Sequence, residues 1–423
     1  MKKVLVFFPH NPSPPRTGAH KRCLEIIGGL RELGCEVSLL SSTLSTDTKW
    51  EASSVVELKK LVREVYVYEA TSADYSFIRR LGRMHHWQRR LSGLLGRQQP
   101  GGGESPVNSR SYSPPGMLRW FRRLLMEIDP DILVMNYAHW DKLIDHRRLN
   151  SRISVIDTLD MVSLNGRMQQ AIREALPAPL RVSEVEEEAL DEKFFEERGL
   201  TVSPAEFRVF DNYDYCVAIA AKEAELIKQH TKRTQVVLIP MTYEPSNIPN
   251  SYSGPALFPV GPNYFNTQGY LYFVRRVLPR VRKEIPSFVL HVTGFYDKII
   301  PRDPFAGIVF RGFVPDLRTL YQECRFVTCP VFGGTGQQVK IVEAMSYGVP
   351  VVALRAAAER SPMRHGENGL VADNADEFAE NTIRLWNDPQ LCRQLGEASR
   401  KTIAREFSRS HLIEALSQVV GQN

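Results

Sequence analysis

The sequence predicts an α/β protein of two doubly wound domains, each a parallel sheet with helices on both faces. Two observations carry this prediction. Short apolar, β-branched runs alternate with segments of helical period along most of the chain, the pattern of successive βαβ units. The alternation comes in two series separated by MTYEPSNIPNSYSGP (241–255), and 423 residues exceed what one core usually organises.

The first series opens on KKVLVFF (2–8), a continuous apolar strand of the kind buried on both faces. A Pro- and Gly-rich loop, PHNPSPPRTGAHKR (9–22), leads to CLEIIGGLRELG (23–34), whose apolar residues recur with helical period, and then to strand CEVSLLSS (35–42). REVYVYEA (63–70), DILVMNY (131–137), ISVIDTLD (153–160), YDYCVAIA (213–220) and TQVVLIPM (234–241) continue the strands. The second series has strand ALFPVGPN (256–263), helix GYLYFVRRVLPRVRKEIP (269–286), and strands SFVLHVTG (287–294) and GIVFRGFVP (307–315). Helix DLRTLYQEC (316–324) and strand RFVTCPV (325–331) follow, then strands PVVAL (350–354) and GLVA (369–372) and helices 375–388 and 389–407. Domains are expected at 1–245 and 246–405. Open parallel sheets bind ligands at the carboxyl ends of their strands, so the expected site is a cleft across which the two domains face each other.

The composition, 43% hydrophobic and 24% charged, is globular, and no run approaches the roughly 20 apolar residues of a membrane span. MKKVLVFF resembles the start of a secretory signal but breaks at PHNPSPP, so it reads as a strand. Six cysteines at no repeating spacing point to reduced thiols in a cytoplasmic protein. Cys324 and Cys329 form a C-x4-C with no partner pair and no nearby histidines, so no metal is expected there. The one D-x-D, Asp129-Pro130-Asp131, reads as turn chemistry.

The net charge of +6 is unevenly spread: Tyr75–Leu125 holds ten arginines and one acid, Glu104. Its densest part, FIRRLGRMHHWQRRLSGLLGR (77–97), reads either as a solvated helical face or as an amphipathic interfacial segment that meets anionic lipid or phosphate. No nucleic-acid-binding module is recognisable, so nucleic acid is not an expected partner. The stretch QQPGGGESPVNSRSYSPP (98–115) is low in complexity, and SEVEEEALDEKFFEERG (183–199) reads as an exposed acidic helix.

The densest chemistry lies in GGTGQQVKIVEAMSYGVPVV (333–352), a glycine loop set between a strand and a helix expected to start near Gln337. Gly334 and Gly336 let backbone N–H groups approach an anion, and the helix N-terminus points its positive end there. Neither a P-loop nor a G-x-G-x-x-G is present. Glu343 lies roughly 9 Å along the helix from Gln337, suited to a diol beside the phosphates. Lys340 shares its face, and the spacing equally allows an intrahelical ion pair. His139, at a strand end in NYAHW, reads either as a site residue or as a satisfied polar group; Asp157 and Asp160 read as structural or acceptor-side.

GTGQQVKIVEAMSYGVPVVA resembles the signature of the family-4 retaining glycosyltransferases (glycosyl transferases group 1): a Gly-rich loop, then Lys, then Glu-Ala-Met, then Gly-x-Pro-Val-Val. PPRTGAHKR, PDILVMNYAHW, VIDTLDMVS, FRGFVPDLRTLYQECRFVTCPV, HGENGLVADNADEFAE and LGEASRKTIAREFS extend the similarity over nearly the whole chain. The resemblance implies the GT-B fold: an acceptor-binding and a donor-binding Rossmann-like domain, with 406–423 a helix packing back on the first. It implies transfer of a sugar from a nucleotide-diphosphate-sugar to a hydroxyl of a glycan, lipid-linked or small-molecule acceptor, with retention and no required cofactor. Glu343 would hold the ribose. Gly334, Thr335, Gly336, Gln337 and Lys340 would face the diphosphate and sugar, and Gly312, Phe313 and Val314 would frame the base. Gly18 would approach the diphosphate, and His139 would sit beside the reacting sugar. His20, Arg22, Asn136 and Asp160 would line the acceptor or phosphate side. A peripheral position at the inner face of an anionic membrane would follow from 75–125.

Four positions depart from the family's pattern. Thr335 stands where an acid is common, Phe332 replaces an arginine, Leu159 replaces a histidine, and VGPNYFNTQG (260–269) lacks the usual Arg and Lys. Lys340 is then the expected lone cation of the second domain at the diphosphate, with His20, Lys21 or Arg22 adding to it. The alternatives are a catalytically inactive nucleotide-sugar-binding module of this fold, and a nucleotide-sugar epimerase.

Overall fold

A computed structural model describes the chain except residues 45–48, 95–109, 150, 177–180, 295–299, 302–304 and 422–423, together with the side chains of 85–94. Most of the low-complexity stretch, 98–109, thus lies outside the described residues. Contacts divide the chain into two units: Met1–Ser163, Val202–Pro240 and Leu412–Asn423 form the first, Leu164–Thr201 and Met241–His411 the second. Among the described residues no helix is long and apolar enough to cross a membrane.

The first unit is built on a seven-stranded parallel sheet: β1 (Lys3–Phe7), β2 (Glu36–Ser42), β3 (Val65–Tyr68), β4 (Ile132–Asn136), β5 (Ile153–Asp157), β6 (Tyr215–Ala218) and β7 (Gln235–Leu238). Their order, β3-β2-β1-β4-β5-β6-β7, reverses direction between β1 and β4, the place where open sheets open a crevice. Val4, Leu5, Val6 and Phe7 are all at most 1% exposed, because helices cover β1 on both faces. The helix Arg409–Val420 completes this core with Leu412, Leu416, Val419 and Val420. Asp129 (φ +45) caps the helix Pro115–Ile128 in left-handed geometry and Asp131 accepts the Lys3 N–H at 2.9 Å, so this D-x-D serves the turn.

The second unit carries a six-stranded parallel sheet, β8 (Ala256–Val260), β9 (Leu290–Gly294), β10 (Ile308–Gly312), β11 (Phe326–Cys329), β12 (Val351–Leu354) and β13 (Leu370–Ala372), in the order β10-β9-β8-β11-β12-β13. Its switch point lies between β8 and β11. The helix after β8 begins at Tyr264 and passes through a π turn at Phe273–Val277 before Leu278–Glu284. Pro279 explains the turn: it offers no N–H to the carbonyl of Arg275 and its ring would crowd that group in a regular helix.

Two sequence expectations change here. The acidic stretch 183–199 is not an α-helix: it makes 3-10 turns at Val182–Glu184 and Glu187–Leu190, then a run of turns. The helix after β8 competes for its backbone and charges. Arg275 donates to the Val182 carbonyl at 2.8 Å, Gln268 to the Ala189 carbonyl at 2.9 Å, and Arg276 pairs with Glu187 at 3.1 Å and Glu192 at 3.4 Å. Phe194 and Phe195 are buried against the same unit. Accordingly Leu164–Thr201, assigned to the N-terminal domain from sequence, packs within the second unit, and the last return to the first unit comes at Leu412 rather than 406.

Candidate functional site

In the second unit the glycine loop leaves β11 at the switch point, as the sequence predicts. Gly334 adopts φ +115, a conformation that side chains other than glycine's rarely enter. Thr335 and Gly336 form a bend, and the helix starts at Val339, two residues later than expected; Gln337 Oε1 accepts the Met241 N–H at 2.8 Å. At the second residue of that helix the Lys340 ammonium donates to Asn266 Oδ1 and stands 5.0 Å over the Phe258 ring. Burial pushes Lys340 down to about 8, and the Arg360 guanidinium pushes the same way.

Glu343 takes a different partner, accepting from the Tyr321 hydroxyl at 3.1 Å. Tyr321 is fully buried and stacked on Tyr347 with ring centroids 4.8 Å apart. Burial and the Glu343 carboxylate hold its hydroxyl well above the usual range, so it remains a donor. Lys340 and Glu343 therefore share a helix but lean on different neighbours. At the end of β10, beyond β9 and β8 in the sheet, Gly312 (φ +70) accepts from Thr293 Oγ1, and a register shift precedes it. Phe313 follows with 56% of its surface exposed, and Val314 is half-buried.

The expectation of one cation at this loop is corrected by Arg360, which nothing in the sequence singled out. Arg360 follows β12 and returns to the loop from the side: it donates to the Gly333 carbonyl at 2.8 Å and the Ala356 carbonyl at 3.0 Å. Its own carbonyl accepts the Gln338 N–H at 2.9 Å.

In the first unit, Gly18 begins the helix Gly18–Glu32, which Thr17 caps by accepting the His20 N–H. His20 is 3% exposed, accepts the Arg16 N–H through Nδ1, and meets Phe8 edge-on. His139 lies after β4 in an aromatic nest, 4.2 Å from Tyr112 and 5.4 Å from Tyr137 by ring centroids. Burial, with His10 adding to it, pushes His139 down to about 3, so its imidazole is neutral at physiological pH.

Two residues expected on the acceptor or phosphate side, Arg22 and Asn136, are engaged within the unit. Arg22 is 1% exposed; it grips Asp157 through Nε and Nη2 at 2.8–3.0 Å and donates Nη1 to the Ile239 carbonyl, so its charge is matched inside the unit. Asn136 is buried and donates to the Phe7 carbonyl at 2.9 Å, pinning β4 to β1. Asp160 lies near two buried carboxylates, Glu206 and Glu223, each pushed up to about 7 chiefly by burial. Among the described residues no group of three or more His, Cys, Asp or Glu could hold a metal ion, and all six cysteines are free and buried.

Known proteins match this architecture. Residues 254–388 match the family model Glycosyl transferases group 1. The putative glycosyltransferase EpsD of Bacillus subtilis (strain 168) is 32% identical over 117 residues, spanning 27% of this chain and only 30% of that relative. Among solved structures, sucrose-phosphate synthase from Thermosynechococcus elongatus aligns with a TM-score of 0.63 at 15% identity, covering 99% of this chain and 98% of its own. Anabaena Alr3699/HepE in complex with UDP and glucose aligns with a TM-score of 0.60 at 14% identity, covering 99% of both chains. With two parallel doubly wound sheets and these structural neighbours, the chain has the GT-B fold of two Rossmann-like domains, and its residues 254–388 are similar to the glycosyl transferases group 1.

Proposed function

We propose that the protein transfers a sugar from a nucleoside-diphosphate-sugar donor to a hydroxyl acceptor with retention of anomeric configuration. The observation that carries this reading is Lys340, an ammonium set among neutral groups beside a glycine turn and a helix start at the sheet's switch point. On this reading Glu343 accepts the two ribose hydroxyls, held in place by Tyr321. Gly334, Thr335 and Gly336 face the diphosphate and sugar, and Phe313 and Val314 frame the base. His139 sits beside the reacting sugar as a neutral hydrogen-bonding group. As the glycosidic bond breaks, negative charge builds on the leaving diphosphate; one preorganised group aimed at such charge is worth about 3 kcal/mol. The leaving oxygen takes the acceptor's proton, so the pair of enzymic carboxylates used by glycosidases is not required.

The test is incubation with UDP-, GDP-, ADP- and dTDP-sugars, UDP-glucose first in view of the Anabaena complex. Nucleoside diphosphate is released, and NMR of the product shows the donor's anomeric configuration. Epimerised donor, or tight binding with no release, would sink the transferase reading.

For the acceptor we infer a glycan or lipid-linked glycan at an anionic membrane surface. Supporting this, Arg79, Arg80 and Arg83 are exposed on the helix Ser72–Leu94, and the helix Pro115–Ile128 exposes Arg119, Arg122, Arg123 and Met126. Liposomes rich in phosphatidylglycerol sediment the protein, and replacing Arg79, Arg80, Arg83, Arg89 and Arg90 together abolishes this. Unchanged sedimentation would remove the membrane from the proposal.

A further inference from the structure

Many members of the family this chain resembles carry an Arg and a Lys just after the first strand of the donor domain; the stretch after β8 here, VGPNYFNTQG (260–269), carries no cation. A cation arrives instead from the opposite flank. Arg360 sits in the turn after the short helix Arg355–Ala358 and is 9% exposed. Its guanidinium is fixed at Nε by the Ala356 carbonyl and at Nη2 by the Gly333 carbonyl. A Cβ built on Gly334 would collide with Nη1, so the guanidinium fills the space that a side chain at 334 would take. Glycine at 334 thus serves twice, for its φ of +115 and for the room it leaves Arg360.

We propose that Arg360 is a donor-phosphate-binding residue, acting across the glycine loop with Lys340 in place of the missing pair. This rests on the proposed function above. Three features converge. Both ends of the loop are tied to residue 360, through the Gly333 carbonyl and the Gln338 N–H, so loop and guanidinium move together. Two cations approach one loop from different elements, which raises the cost of either charge and favours an anion between them. A planar guanidinium, moreover, offers paired donors to phosphate oxygens in a way an ammonium does not. In sequence Arg360 lies 20 residues past Lys340, in ALRAAAERSPMRHG, and looks like a surface arginine.

The experiment compares the affinities of UDP, GDP, ADP and dTDP, and of the corresponding monophosphates, for wild type and for Arg360→Gln and Arg360→Lys, by calorimetry. Wild type prefers the best diphosphate over its monophosphate at least tenfold. Arg360→Gln cuts that preference to threefold or less with monophosphate affinity unchanged, and Arg360→Lys restores part of it. An unaltered preference in Arg360→Gln, or an equal loss for both nucleotides with the fold intact, would assign Arg360 to loop architecture alone. If Arg360→Gln does not fold, Arg360→Lys decides: a preference equal to wild type overturns the proposal. Wild type that binds none of these nucleotides overturns the proposed function itself, a result separate from any effect of the variants.

Discussion

The carboxyl ends of β1 and β4 in the first unit, and of β8 and β11 in the second, occupy the same place in the same topology but treat charge in opposite ways. In the first, Arg22 and Asp157 are each 1% exposed and neutralise each other, and His139 is held uncharged. In the second, Lys340 rests on the Asn266 amide and the Phe258 ring, while Arg360 reaches the carbonyls of Gly333 and Ala356. A matched buried pair stabilises one architecture. The Lys340 ammonium rests on an uncharged amide and a ring, so an anion beside it would add an attraction that these neighbours do not supply.

The comparison can be broken or sharpened at four points. Asp157→Ala strands the Arg22 guanidinium in the core and lowers stability by about 3–5 kcal/mol in urea unfolding. A loss below about 1 kcal/mol would mean that the pair is not the strut described here.

Lys340→Met tests the other side: kcat/KM falls by about 100-fold, near the 3 kcal/mol expected for one electrostatic donor, with little change in melting temperature. Its pH dependence follows from sign. Lys340 is charged below about 8 and neutral above it, so wild-type kcat/KM declines as pH rises through 8. Lys340→Arg, charged throughout, removes that decline; a wild-type profile flat from pH 7 to 9 would refute the assignment.

Tyr321→Phe removes one hydrogen bond from Glu343, worth about 1 kcal/mol, and raises the KM for donor roughly fivefold with kcat near wild type. A fall in kcat with KM unchanged would place Glu343 at the reacting centre instead of the ribose.

The smallest effect is Glu223→Gln. Glu223 is raised to about 7, so the folded protein holds its proton between the unfolded carboxylate range and pH 7, and that stability is lost as pH rises through this window. The amide cannot ionise, so its melting temperature gains on wild type by a few degrees, roughly 2–4 °C per kcal/mol, between pH 5 and pH 8. An equal difference at both pH values would show that Glu223 does not titrate in this window.

All thirteen strands among the described residues were legible, because a strand or helix face is written in residues two to four apart and local periodicity survives in the primary structure. So was the glycine loop with Lys340 and Glu343 on the following helix, for the same reason. The acidic stretch 183–199 was misread because it is held by Arg275 and Arg276, whose partners in and beside it lie 84 to 93 residues away. Arg22 looked free for a phosphate because its partner, Asp157, is 135 residues distant.

What the sequence determined by itself is therefore the two-domain α/β architecture, the switch-point loop and the spacing of its lysine and glutamate. Only the tertiary structure decided where each charge comes to rest: Arg22 and Arg360 are both arginines in unremarkable contexts, and one became a strut on Asp157 while the other came to rest on the glycine loop. The cause is physical. Backbone periodicity is a property of neighbours along the chain, whereas the energy of a charge depends on whatever the fold brings within a few ångströms of it.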